Sequence, residues 1–150
     1  MSYCSRKTMI QKSPAKVNLA LDILGRDPSG YHKIQTIYHE LPDLFDEMEF
    51  EITDSPEITL RCDHPDVPLD HTNTALKAAT LLKKRFGIEQ GVRITIHKKI
   101  PVMSGLGGGS SNAAITLQTL NDMWKHRAPR EVLINLANQI GMDCAFFFFG

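Results

Sequence analysis

The segment KKIPVMSGLGGGSSNAA, residues 98 to 114, packs four glycines and three serines between Ser104 and Ser111 and then runs into small helix-forming residues. Glycines accept backbone torsions that other residues resist, and they leave amide N–H groups bare to an approaching ligand. A helix that opens at Ser110 or Ser111 leaves its first four N–H groups without intrahelical partners and carries a partial positive charge. Together these features predict a cradle for phosphate oxygens, with the serines capping the helix and donating from their hydroxyls. The segment lacks the Gly-Lys-Ser/Thr of a Walker A loop. It also fails the dinucleotide fingerprint, because Ser110 stands in the third glycine's place after Gly105 and Gly107.

Two further places carry chemistry. In SPAKVNLALDIL, residues 13 to 24, Lys16 and Asn18 alternate with an apolar series, so they are same-face neighbours on a strand that is apolar on both sides of the lysine. Near the other end, Asp143 follows Gly141-Met142 at a helix end and precedes Cys144-Ala145 and four phenylalanines, where a carboxylate needs a partner or water. Taken alone, Asp143 also reads as a turn residue, and Lys16 as a strand lysine pointing to solvent. Tyr31 and His32 follow a turn glycine and read equally as packing for a hairpin.

The elements that must position these residues follow from periodicity. Ala15, Val17, Leu19, Leu21 and Ile23 share one strand face; Asp27-Pro28-Ser29-Gly30 suits a type I turn, and residues 33 to 41 return as a second strand. Residues 45 to 53 and 57 to 62 read as two more strands around Asp54-Ser55-Pro56. A helix is predicted from Asn73 to Phe86, with Leu76 or Ala75 joining Ala79 and Leu82 on its apolar face and Gly87 as its stop. Residues 91 to 100 alternate as a strand that buries Val92, Ile94 and Ile96. Beyond the glycine loop, Ala113, Leu117, Leu120 and Trp124 keep a helical stripe. Pro129 opens a last helix with Val132, Leu133, Leu136, Ala137 and Ile140 inward, and residues 143 to 150 read as a short apolar strand. Strands first and helices later indicate an α+β fold in one domain.

Composition narrows the function. Seventeen basic residues balance seventeen acidic ones in 150, so no global field recruits nucleic acid or an anionic membrane, and any anion must be held locally. Cys4, Cys62 and Cys144 are odd in number and form no CxxC pair, which argues against a disulfide framework or a zinc site. His39, His64, His71, His97 and His126 show no metal-ligand spacing. No apolar run is long enough for a membrane helix, and MSYCSRKTMIQK lacks the apolar stretch of a signal peptide, so a cytoplasmic location is expected.

PVMSGLGGGSSNAA resembles the nucleotide-binding loop of the GHMP kinases, and SPAKVNLALDILGRDPSGYH and IGMDCAFFFFG resemble, in the same order, the opening and the catalytic-aspartate segment of one of its branches. That branch transfers the γ-phosphate of ATP to the C2 hydroxyl of a cytidine-diphosphate methylerythritol in non-mevalonate isoprenoid synthesis. The resemblance implies a ribosomal protein S5 domain 2-like fold, a mixed sheet packed against helices, with residues 1–150 as the N-terminal ATP-binding domain and the family's C-terminal domain outside this chain. It implies Lys16 and Asp143 as the catalytic pair. Around the triphosphate it places Pro101, Val102, Met103, Ser104, Gly105, Leu106, Gly107, Gly108, Gly109, Ser110, Ser111 and Asn112. Lys98 and Asn73 would lie near the adenine, and Asn18, Tyr31 and His32 would contact the cytidylated substrate. Mg2+ is expected with ATP, although no acidic cluster marks its ligands. Ser104 and Cys144-Ala145 depart from the family's usual residues without removing a donor or the carboxylate. A non-catalytic nucleotide-binding module, or a GHMP kinase for another small alcohol, are the alternatives; oligomeric state is not legible.

Overall fold

A computed structural model describes residues 7–149; Cys4 and Gly150 lie outside the described residues. β1 (Thr8–Arg26) and β2 (His32–Thr53) form a long antiparallel hairpin, followed by β3 (Ile58–Cys62), α1 (Thr74–Phe86), β4 (Gly91–His97), α2 (Gly108–Met123) and α3 (Arg130–Ile140). The sheet order is β1-β2-β4-β3, antiparallel except for the parallel β3–β4 pair, which gives the expected mixed sheet.

One face of the sheet is covered by α1 and α2, with α3 packed against both helices. The predicted alternation holds in β4, where Val92, Ile94 and Ile96 are fully buried, and Met48 and Phe50 of β2 join them. Ala75, Ala78, Ala79 and Leu82 supply the α1 face, so of the two stripes considered the one through Ala75 is the buried one; Leu76 lies at its margin. Ala113, Ala114, Leu117 and Leu120 bring α2 down onto the same core. Small residues on α1 and α2 let these two helices pack closely. Asn73 caps α1, its Oδ1 accepting from Ala75 N at 2.9 Å, and Gly87 ends it at φ 61°.

Three local expectations are corrected. Residues 33–41 and 45–53 belong to one strand: Pro14 pairs with Phe45 and Ala15 with Leu41, so residues 42–44 are looped out as a bulge around Pro42, which has no N–H to offer the ladder. The strand expected to reach residue 100 ends at His97. The apolar tail is a 3-10 turn from Cys144 to Phe148 rather than a strand, closed by Phe146 N→Asp143 O (3.2 Å) and Phe149 N→Phe146 O (2.9 Å). An unbroken apolar run carries no period that separates strand from helix. The tight turn lets Phe147 and Phe148 enter the core while Phe146 meets the ring of Tyr38 with centroids 4.9 Å apart.

The apolar series of β1 stays together only at its inner end. Ala15 is buried, but Leu19, Leu21 and Ile23 project from the hairpin beyond the helical roof and are more than half exposed. The chain turns where expected: Gly30 N donates to Asp27 O at 2.9 Å, and the Asp27 carboxylate accepts from Ser29 and Tyr31.

Candidate active site

α2 opens earlier than expected, and this changes how its mouth is built. Its N-cap is Gly107, in left-handed backbone at φ 72°, with no side-chain cap; Ser110 and Ser111 lie inside the first turn and do not cap it. The first amide to bond within the helix is Ser111 N, to Gly107 O at 2.9 Å, so helix geometry leaves the N–H groups of Gly108, Gly109 and Ser110 without intrahelical acceptors. The Ser111 hydroxyl faces inward: Ser13 Oγ donates to it at 2.8 Å, and Ser111 is fully buried.

The loop is fixed from three sides. Lys16 N donates to Leu106 O at 2.8 Å, tying β1 to the residue before the cap. Thr74 Oγ1, at the start of α1, donates to Gly109 O at 2.7 Å. Asn112, with its amide nitrogen turned towards Ser13 Oγ (2.7 Å), Asp46 Oδ2 (3.2 Å) and Gly108 O (3.1 Å), holds the first turn from beneath. A Cβ on Gly107 would stand 2.9 Å from Lys16 Cγ and 3.3 Å from Phe147 Cζ, in backbone that side chains already resist. Replacing Gly107 by Ala is therefore expected to cost about 1–3 kcal/mol of stability and to weaken ATP binding. A denaturation midpoint and ATP affinity both matching wild type would show that the cap tolerates a side chain.

In front of this mouth lies a cavity of about 340 Å3, lined by every residue from Pro101 to Ser110, by Asn112, Lys98 and Asn73, and by Val67, Pro68, Thr72 and Thr74. Eleven of the twelve loop residues assigned to the nucleotide by sequence thus share one space with bare helix amides, plus Asn73 and Lys98 on its wall; Ser111 is the member turned away. Asn73 and Lys98 use their polar groups on protein partners. Asn73 Nδ2 donates to Pro68 O at 2.9 Å besides capping α1, and Lys98 Nζ bonds Asp46 Oδ2 at 2.6 Å.

Asp46 had not been singled out from sequence. It is fully buried, and its other oxygen accepts from Lys99 N (2.7 Å) and Ile100 N (2.8 Å), so one carboxylate turns the chain from β4 into the glycine loop. The signal was present: Asp46, Met48 and Phe50 occupy alternate positions, which puts a carboxylate on the apolar face of β2.

Lys16 and Asp143 meet beside the cavity. The lysine is 4% exposed, its stem passes Gly107, and its Nζ donates to Asn18 Oδ1 at 2.7 Å and lies 3.5 Å from Asp143 Oδ2. A buried ammonium without such partners is costly. Tyr38, opposite Asn18 in the hairpin register, donates its hydroxyl to Asp143 Oδ1 at 2.7 Å, and its ring lies 5.0 Å from Lys16 Nζ. Burial first, then the bond to Asp143 and its charge, push the Tyr38 phenol up to about 12, so it remains a donor at neutral pH. Tyr38 was also missed, because its place opposite Asn18 depends on register shifts within the hairpin.

Tyr31 and His32 are not brought to this pair. They stand exposed at the hairpin end, where Arg26 Nε contacts His32 Nε2 at 3.3 Å, ten positions along β1 from Lys16 and thus separated by roughly 30 Å of extended chain. Among the described residues no group of three or more His, Cys, Asp or Glu is arranged to hold a metal ion, and no helix is long and apolar enough to cross a membrane.

The sequence pattern of the GHMP kinases N terminal domain matches residues 73–150. The chain is 44% identical over 139 residues to a 4-diphosphocytidyl-2-C-methyl-D-erythritol kinase of Brevibacillus brevis, covering 93% of this chain and 47% of the relative. It is 49% identical over 138 residues to the protein of that name in Paraburkholderia xenovorans, covering 92% and 46%. A crystal structure of 4-(cytidine 5'-diphospho)-2C-methyl-D-erythritol kinase superposes with a TM-score of 0.79 at 36% identity, over 95% of this chain and 49% of that one. The chain spans about half the length of the relatives it matches. With the cradle, its glycine-capped helix and the matching sequence pattern all in place, the chain belongs to the GHMP kinases.

Proposed function

We propose that this chain carries the nucleotide-binding and catalytic half of an ATP-dependent kinase that phosphorylates the C2 hydroxyl of 4-diphosphocytidyl-2-C-methyl-D-erythritol, in the non-mevalonate route to isoprenoids. The observation that carries the reading is the double attachment of Lys16. Its backbone amide holds the glycine loop at Leu106 O, while its ammonium faces Asp143 at 3.5 Å, so a phosphate chain at the mouth of α2 and an alcohol at the carboxylate are held in one frame. Similarity to kinases bearing that name supports the substrate.

Phosphoryl transfer asks mainly for alignment and for stabilisation of charge on the transferred group. The bare amides of residues 108–110 and the positive end of α2 supply that stabilisation. Asp143 takes the proton of the attacking hydroxyl as the oxygen–phosphorus bond forms, and ADP leaves with the electron pair of the broken bond. Lys16 holds the carboxylate in place. Mg2+, when bound with ATP, supplies further charge neutralisation; Asp46 is saturated by its lysine and two amides, so the phosphate oxygens would furnish most of its ligands. A cytoplasmic setting and a soluble, cytidine-bearing small-molecule substrate go with this reading.

Transfer of labelled γ-phosphate from ATP to the cytidylated alcohol tests it directly. ATP binding without product on this or any related alcohol would leave a binding module. The separation of Tyr31 and His32 from Asp143 gives weight to the second reading, a GHMP kinase for another small alcohol. If the pair recognises cytidine, joint replacement by Ala should raise KM for the cytidylated substrate about tenfold or more, as loss of a base-stacking ring does, with KM for ATP unchanged. An unaltered KM for both substrates would assign cytidine recognition elsewhere.

A further inference from the structure

We propose that Tyr38 is a positioning residue for Asp143: its phenol occupies Oδ1 at 2.7 Å and so leaves Oδ2, the oxygen facing Lys16, as the one presented to the acceptor hydroxyl. This rests on the phosphoryl-transfer reading above. A carboxylate on a short turn has two free rotations and two equivalent oxygens. Lys16, at 3.5 Å, holds the carboxylate beside the loop but does not choose between its oxygens, because an ammonium is a point charge without preferred direction.

Tyr38 removes both freedoms. It projects from β2, an element unrelated in sequence to the turn that carries Asp143, and its ring is wedged between Phe146 (centroids 4.9 Å apart) and the Lys16 ammonium (5.0 Å). The hydroxyl is therefore aimed by packing rather than by the bond it makes. A misplaced base loses rate rather than affinity, since a near-attack geometry matters only in the transition state.

Tyr38→Phe keeps the ring and deletes the donor. The expected result is a kcat about tenfold lower, the size expected for a lost bond to a charged group, with KM for ATP and for the alcohol within about twofold and a thermal midpoint lowered by only about a few degrees. In an Asp143→Asn background the same substitution should cause no further loss. The inference fails if Tyr38→Phe turns over at the wild-type rate, if KM for the alcohol rises while kcat holds, which would place the phenol on the substrate, or if the two substitutions lower kcat independently. Should wild type transfer phosphate to no alcohol, the functional reading falls and the pairing is still read from Tyr38 itself. Its titration, followed by NMR of the ring, should fall from about 12 towards the ordinary tyrosine range in Asp143→Asn. An unmoved titration would overturn the pairing.

Discussion

Asp143→Asn should lower kcat by about 10^2 to 10^4-fold, the range for loss of a general base, with ATP affinity preserved. The substitution is nearly isosteric. The amide oxygen can still accept from Tyr38 while Lys16 keeps its bond to Asn18, so packing of the turn from Cys144 to Phe148 is kept, but the group can no longer take a proton. Asp143 does not line the cavity in front of α2, which is why nucleotide binding should survive. Single-turnover phosphate transfer alongside calorimetric ATP titration separates the two quantities. Turnover at the wild-type rate would remove Asp143 from the base's role and leave alignment by the loop as the whole of catalysis.

The second large effect is structural. Asp46→Ala deletes the acceptor of a lysine whose side chain is 6% exposed and of two backbone N–H groups, at a position with no access to water. Breaking a buried pair from one side costs about 3–5 kcal/mol, because the remaining charge is left poorly solvated and unpaired. Against a typical domain stability of about 5–15 kcal/mol, that loss should be evident as a large drop in the urea midpoint. The paired replacement Asp46→Leu with Lys98→Met removes both charges and should recover a substantial part of the stability, while the lost acceptor for Lys99 and Ile100 should still disturb the glycine loop and ATP affinity. A midpoint for Asp46→Ala close to wild type would mean that Lys98 finds another partner or reaches solvent.

Much of the fold could be read from periodicity because its apolar faces are regular. Val92, Ile94 and Ile96 on β4, and Ala113, Leu117 and Leu120 on α2, fall where alternation and helical spacing place them. Where the pattern is absent, so is the inference. Four consecutive phenylalanines contain no period, and the 3-10 turn they form is set by what Phe146 and Phe147 pack against. The glycine loop, Lys16 and Asp143 were legible as chemistry, and Lys16 with Asn18 as same-face neighbours. The start of α2 at Gly108 was not, since helix propensity favours a serine cap and only the tertiary ties at Leu106 and Gly109 decide otherwise. Asp46 and Tyr38 were hidden for a similar reason: their partners lie far away along the chain, and bulges at residues 14–15, 18–20 and 23–25 shift the register that brings Tyr38 opposite Asn18.

The attachment of Lys16 to both Leu106 and Asp143 also bears on how the molecule comes into being. Lys16 and Asp143 lie 127 positions apart, so the nucleotide mouth and the acceptor corner share a clasp that closes only when the turn carrying Asp143 has docked beside β1. Such distant contacts carry a large loop-closure cost and form late. An intermediate with that turn undocked therefore lacks the acceptor corner, and competence to transfer a phosphate arrives only once it has docked.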